Sequence, residues 1–157
     1  MHIESSYWDT ACFSAYFNQE EDRYSLIDTL LKEAAENKIK IVTSALTIAE
    51  VLKPKREYPV SKKHRESINN FFKQEFIIIR NITRKTAELA QDLFWDCQVN
   101  PKDALHVATA IEAGSPSLYT FDHGLIARST KVGGNPTLVI TLPVAPPQGS
   151  LIFPLKR

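Results

Sequence analysis

At 157 residues the chain has room for one domain with a sizeable core, and 43% hydrophobic with 24% charged residues is the composition of an ordinary water-soluble globule. A net charge of +1 denies it the whole-molecule field by which strongly basic proteins gather nucleic acid, so any such attraction must come from local clusters. No apolar run reaches the length of a membrane span, Met1-His-Ile-Glu-Ser-Ser is not a signal peptide, and Cys12 and Cys97 lack metal-ligand spacing, which leads us to expect a cytoplasmic protein with two reduced, buried thiols and no membrane partner.

Residues 3–9 read as a strand running into Asp9, followed by a short helix over Ala11–Phe17. Asp9 admits two readings: a helix N-cap, or an acid held at a strand end. After a polar break at 18–22, Ser25–Asn37 is amphipathic, with Leu26, Ile27, Leu30, Leu31, Ala34 and Ala35 along one side. That side and the 7–17 region serve equally well as core or as a dimer face. Lys38–Thr43 is a strand, and Ser44 caps a helix over Ala45–Leu52. Glu50 lies in the middle of that helix among apolar neighbours, Thr47 excepted, which makes simple solvent exposure an uncomfortable explanation for it. Pro54 ends the helix.

Lys53, Lys55, Arg56, Lys62, Lys63 and Arg65 form the one basic cluster, with His64, Tyr58 and a single acid among them. One reading is a solvated loop and helix start, with Ser61 capping a helix through Phe72. The other is a phosphate-contacting flap, whose cations attract a nucleic-acid backbone whatever its sequence and whose Tyr58 stacks on a base.

Phe76–Ile82 is a β-branched apolar run that predicts a strand in a central, buried position. Thr83 caps a helix through Cys97. Pro101 and Gly114 bound another short helix, with Ala104, Val107, Ala108 and Ile111 at helical spacing. Asp103 lies one turn before Val107 on that inward stripe, where a lone carboxylate would be costly to bury. A short strand over Leu118–Phe121 ends on Asp122. A short helix within 123–130, a turn at Gly133–Pro136 and a last strand over Leu138–Leu142 follow. The proline-rich residues 143–157 make an extended tail, which divides the chain into a domain over 1–142 and that tail.

Strands therefore alternate with helices, the pattern of an α/β sandwich with a mainly parallel sheet. Ligands of such sheets sit beyond the carboxyl ends of the strands. Asp9, Glu50, Asp103 and Asp122 lie near strand ends or the connections that follow them, so all four converge on one edge. Carboxylates without His or Cys at ligand spacing suit a hard cation, Mg²⁺ or Mn²⁺, and not zinc. Without a cation they would repel one another. The chemistry that fits is metal-assisted hydrolysis of a phosphodiester, with the basic flap holding the backbone.

Four segments carry a resemblance: Tyr7-Trp-Asp-Thr, Thr43-Ser-Ala-Leu-Thr-Ile-Ala-Glu-Val-Leu, Asp103-Ala-Leu-His-Val-Ala-Thr-Ala and Leu118-Tyr-Thr-Phe-Asp. Together they resemble the motifs of the PIN-domain family, in order and spacing over residues 3–142, and most of all its VapC-type toxins. The resemblance implies a three-layer α/β/α nuclease that cuts RNA with Mg²⁺ or Mn²⁺, works as a homodimer and is held by a small antitoxin. It implies that Asp9 and Asp103 are direct metal ligands. Glu50 and Asp122 would act through water, or orient and deprotonate the attacking water. Thr120, and more weakly Thr10, would hydrogen-bond within the acid cluster.

Gly124 departs from the family pattern, standing where many toxin members carry a further acid or polar residue. The basic segment and the tail lie outside the common core. His106 reads as a packed or surface helix residue, and His123 as a candidate phosphate contact. Two other functions use the same features: an RNA- or protein-binding module that does not cut, and a phosphatase or DNA nuclease.

Overall fold

The computed structural model describes residues 3–53 and 58–145. Its strands are β1 (Glu4–Trp8), β2 (Ile39–Ser44), β3 (Ile77–Arg80), β4 (Ser117–Tyr119) and β5 (Val139–Thr141), in the order β3-β2-β1-β4-β5 with every ladder parallel. Parallel neighbours cannot be joined by tight hairpins. The helices that connect them are α1 (Thr10–Phe17), α2 (Tyr24–Ala35), α3 (Ala45–Glu50), α4 (Arg65–Phe71), α5 (Arg84–Cys97), α6 (Pro101–Glu112) and α7 (His123–Ile126).

Successive strand residues face opposite sides of a sheet, and here that alternation feeds two cores. Tyr7 and Val42 pack with Ala90 and Leu93 of α5 and with Ala104 and Val107 of α6. Their chain neighbours Trp8 and Ile41 pack on the other face with Phe13, Ile27, Leu30 and Phe72. The result is the expected α/β/α sandwich. The apolar side of α2 and the 7–17 region are thereby assigned to core. Both cysteines are buried free thiols, Cys12 donating to the Tyr119 carbonyl and Cys97 to that of Lys131.

Local chemistry explains where several helices begin. Ser44 Oγ accepts from the Leu46 amide at 3.1 Å, as its position before α3 predicts. Thr83 and Thr86 exchange side-chain and backbone hydrogen bonds at the start of α5. At α6, Asn100 Oδ1 accepts from the Asp103 amide at 3.0 Å and Pro101 takes the first helical position. The helix stops at Gly114, whose φ of +66° is the left-handed value that glycine adopts without strain.

Three expectations need correction. The isoleucine run forms an edge strand and not a central one. Ile77 is buried against the α4 side, but Ile78 points outward and is 42% exposed, so the run is alternately buried with one apolar residue to spare. Ser61 makes no side-chain cap; a 3₁₀ turn over Lys62–His64 precedes α4. Glu50 is the last residue of α3 and not its middle, because Val51 already serves as the C-cap. Lys55, Arg56 and the tail from residue 146 lie outside the described residues. Among the described residues no helix is long and apolar enough to cross a membrane.

Candidate active site

From β1 the chain steps outward to β2 and β3 on one side, while β4 and β5 are laid down on the other. The carboxyl end of β1 is therefore the switch point of the sheet, where open α/β folds keep their ligand crevice. Asp9 follows β1 directly, and its amide donates to the Tyr119 carbonyl at 3.2 Å across the ladder. It occupies the N-cap position of α1 with extended backbone, yet its side chain makes no capping hydrogen bond. The cap reading of Asp9 thus fails. Instead the carboxyl is 7% exposed, and its Oδ1 is buried without a hydrogen-bond partner. Burial pushes its pKa up; the Thr120 hydroxyl and His106 draw it down without cancelling the shift, and the Asp103 charge adds to the rise.

Glu50 lies in the opposite electrostatic situation. Its side chain is 11% exposed, and burial alone would raise its pKa. Donors outweigh that: His106 Nε2 approaches Oε1 at 2.7 Å, and the Lys102 ammonium approaches Oε2 at 2.7 Å. They hold the carboxyl down at about 2. Thr10 also donates to Oε1, at 3.1 Å.

His106 is buried, and its second ring nitrogen, Nδ1, lies 2.7 Å from the Tyr7 hydroxyl. Burial and the charges of Asp9 and Glu50 keep that phenol protonated. Glu50, being ionised, only accepts, so Nε2 of His106 carries a proton and donates it.

Asp103 is half-buried at the first turn of α6, where the helix dipole favours an anion. Asn100 holds it twice, accepting from its amide and donating to its Oδ2. Asp122 is spent differently: its Oδ1 accepts from the Gly124 and Leu125 amides and caps α7. Thr120 is buried, and its hydroxyl accepts from the Asp122 amide at 3.0 Å.

Asp9, Glu50, Asp103, Thr10 and Thr120 are thus gathered around the end of β1, while one oxygen of Asp122 is turned into its own helix. Among the described residues no three His, Cys, Asp or Glu side chains stand together as a ready metal cage. The donor chemistry nevertheless fits a hard divalent cation. The acids offer oxygen only, and the orphaned, buried Oδ1 of Asp9 is an acceptor with nothing else to satisfy it.

Of the basic segment, Lys53, Tyr58, Lys62, Lys63, His64 and Arg65 are exposed. The Val60 amide donates to the Leu52 carbonyl at 2.8 Å, which places residue 60 beside the end of α3, the helix that carries Glu50. His123 is exposed at the start of α7. The reading of His106 as a packed helix residue holds, but its bond to Glu50, and that of Lys102, were not anticipated. The available signal was spacing: His106 lies three residues after Asp103 and so shares its helix face.

No curated protein matches the chain. Solved structures do, at identities that establish fold alone. VapC20 of Mycobacterium tuberculosis, described as a sarcin-ricin loop cleaving toxin, is 16% identical with a TM-score of 0.60, covering 78% of this chain and 93% of its own. VapBC2 of Rickettsia felis, bound to a DNA fragment from its promoter, is 18% identical with a TM-score of 0.59, covering 88% and 98%. A toxin-antitoxin complex from Klebsiella pneumoniae is 20% identical with a TM-score of 0.56, covering 85% and 95%. The PIN domain family model matches residues 6–130, which include all four motif acids, and the chain belongs to the PIN domain family.

Proposed function

We propose that this PIN domain is a divalent-metal-dependent endoribonuclease, the toxin of a toxin–antitoxin pair. The observation that carries the reading is Asp9: a buried carboxyl at the switch point of a parallel sheet, with one oxygen unpartnered among the described residues and the Asp103 charge within electrostatic reach. A charge in that position calls for a cation. Asp9 and Asp103 would hold Mg²⁺ or Mn²⁺, with Glu50 and Asp122 acting through water. The ion supplies charge neutralisation at the scissile phosphate and a more acidic bound water. Thr120 and Thr10 keep the carboxylates oriented. Lys53, Lys55, Arg56, Lys62, Lys63 and Arg65 would hold the RNA backbone, next to the helix that ends in Glu50.

Structural relatives described as toxin–antitoxin assemblies support a small antitoxin as partner. A homodimer, a cytoplasmic setting and the division into a nuclease domain over 1–142 with a tail over 143–157 belong to the same proposal. The second reading is a PIN-like RNA- or protein-binding module. Its support is that Glu50 and Asp122 are already bonded within the protein and that Gly124 adds no further acid. A substrate panel separates the readings. Purified protein with Mn²⁺ is offered single-stranded RNA, structured RNA, DNA of the same sequence and a phosphate monoester. Internal cuts in RNA alone are expected. RNA that is bound but never cut at any metal concentration would overturn the nuclease reading in favour of the binding module.

A further inference from the structure

We propose that His106 is a positioning residue for Glu50: it fixes one oxygen of that carboxylate from inside the fold, so that only the other can be turned toward a cation or water. The inference rests on the nuclease reading for what Glu50 does, and on geometry for how it is held.

The two oxygens of Glu50 have different partners. Oε1 receives His106 Nε2 at 2.7 Å and the Thr10 hydroxyl at 3.1 Å. Among the described residues, Oε2 receives Lys102 alone, at 2.7 Å. These partners differ in rigidity. The His106 side chain is 3% exposed, while that of Lys102 is 65% exposed on a long, flexible stem.

The imidazole is also clamped from behind. Tyr7 bonds its Nδ1 at 2.7 Å and meets the ring edge-on, with centroids 5.9 Å apart. Tyr7 itself is fully buried in β1. Oε1 is therefore fixed chiefly by an imidazole that cannot move without opening the core. Oε2 is released when one surface lysine swings into solvent.

The network ties together four separate elements. Tyr7 comes from β1, Thr10 from α1, Glu50 from α3 and His106 from α6. Asp9 precedes Thr10 in the chain and Asp103 lies one turn before His106 on α6, so the network joins the segments that carry the other two acids. A leucine would fill the His106 site as well in volume, but it would leave Oε1 with Thr10 alone and the carboxylate free to rotate. Hydrogen-bond partners of this kind, one step behind a ligand, typically contribute about 10–100-fold to metal affinity or activity.

The test uses the full chain as wild type, His106→Ala, His106→Gln and Tyr7→Phe. Each is measured by thermal melting, calorimetric Mn²⁺ titration, and kcat and KM on an RNA that wild type cuts. His106→Ala is expected to weaken Mn²⁺ binding about 10–100-fold and to lower kcat with KM little changed. His106→Gln keeps an N–H near Oε1 and should recover much of the loss. Tyr7→Phe keeps the core volume and should weaken Mn²⁺ binding in the same direction, by a smaller factor.

If His106→Ala does not fold, Tyr7→Phe and His106→Gln decide the matter. Mn²⁺ affinity within about twofold of wild type in both overturns the proposal, being far below the loss expected of a ligand-orienting partner. So does a His106→Ala protein that melts lower but binds Mn²⁺ and turns over as wild type does. Those results leave the nuclease reading standing. A wild type that neither binds Mn²⁺ nor cuts RNA overturns that reading, and this inference with it.

Discussion

Asp9 is a buried carboxyl whose charge the surrounding protein offsets only in part. Its folded-state pKa is raised, chiefly by burial. A carboxyl raised in this way favours the fold below its unfolded pKa, and that contribution is lost as pH rises through the folded pKa. The metal-free protein should therefore lose stability with rising pH across that range. Asp9→Asn, which cannot ionise, should remove that loss, abolish cleavage, and melt no lower than wild type at neutral pH without metal. A variant that melts far lower would mean that Asp9 is structural. The burial of Glu50 was legible in the sequence, because an acid among apolar neighbours is uncomfortable in solvent, whereas Asp9 alone read equally as a helix cap and was singled out by the four-segment resemblance. The role of His106 was not legible, because what defines it is its partners, Glu50 56 positions away and Tyr7 99 positions away. Local pattern carries no trace of such pairs, and a histidine on a buried helix face looks the same with or without them.

α6 carries three side chains of the candidate site, Lys102, Asp103 and His106, and its start is built by local rules. Asn100 caps it, Pro101 opens it, and Asp103 is held by both groups of the Asn100 amide. Asn100→Ala should cost about 1 kcal/mol of stability, read from denaturant midpoints. It should also raise the metal concentration needed for half-maximal cleavage, because Asp103 loses its tether. A stability loss with unchanged metal dependence would mean that the cap does not orient the acid. The caps at Ser44 and Thr83 and the opening of α6 at Pro101 were readable because such residues and their helix are neighbours in sequence, while the Asn100 cap was seen only in the structure. The place of β3 was not readable. Ile77–Ile79 reads as a buried run, and only the crossover topology decides that no strand lies beyond it. The end of α3 at Glu50 was equally hidden, since an apolar Val51-Leu52 pair continues the helical pattern that the backbone abandons.

For the whole molecule, the sheet order explains why acids separated by up to 113 positions in sequence share one edge. Alternating strands and helices predicted the parallel sheet, and the match to the PIN domain family over residues 6–130 agrees with that fold. With a net charge of +1, attraction for RNA must be local. Replacing Lys62, Lys63 and Arg65 together by Ala should raise KM and flatten its dependence on salt while leaving kcat largely intact. Each lost contact to a single strand should reduce the salt slope by about 0.7. An unchanged slope would assign the segment to solvent.

The measurement that bears most directly on the whole account is the cleavage rate of a mixed RNA pool by purified wild type with Mg²⁺, with Mn²⁺ and with EDTA, beside Asp9→Asn. The account predicts internal cuts with either metal, none with EDTA, and none from Asp9→Asn under any condition. Cleavage that survives EDTA, or that Asp9→Asn retains, would contradict it.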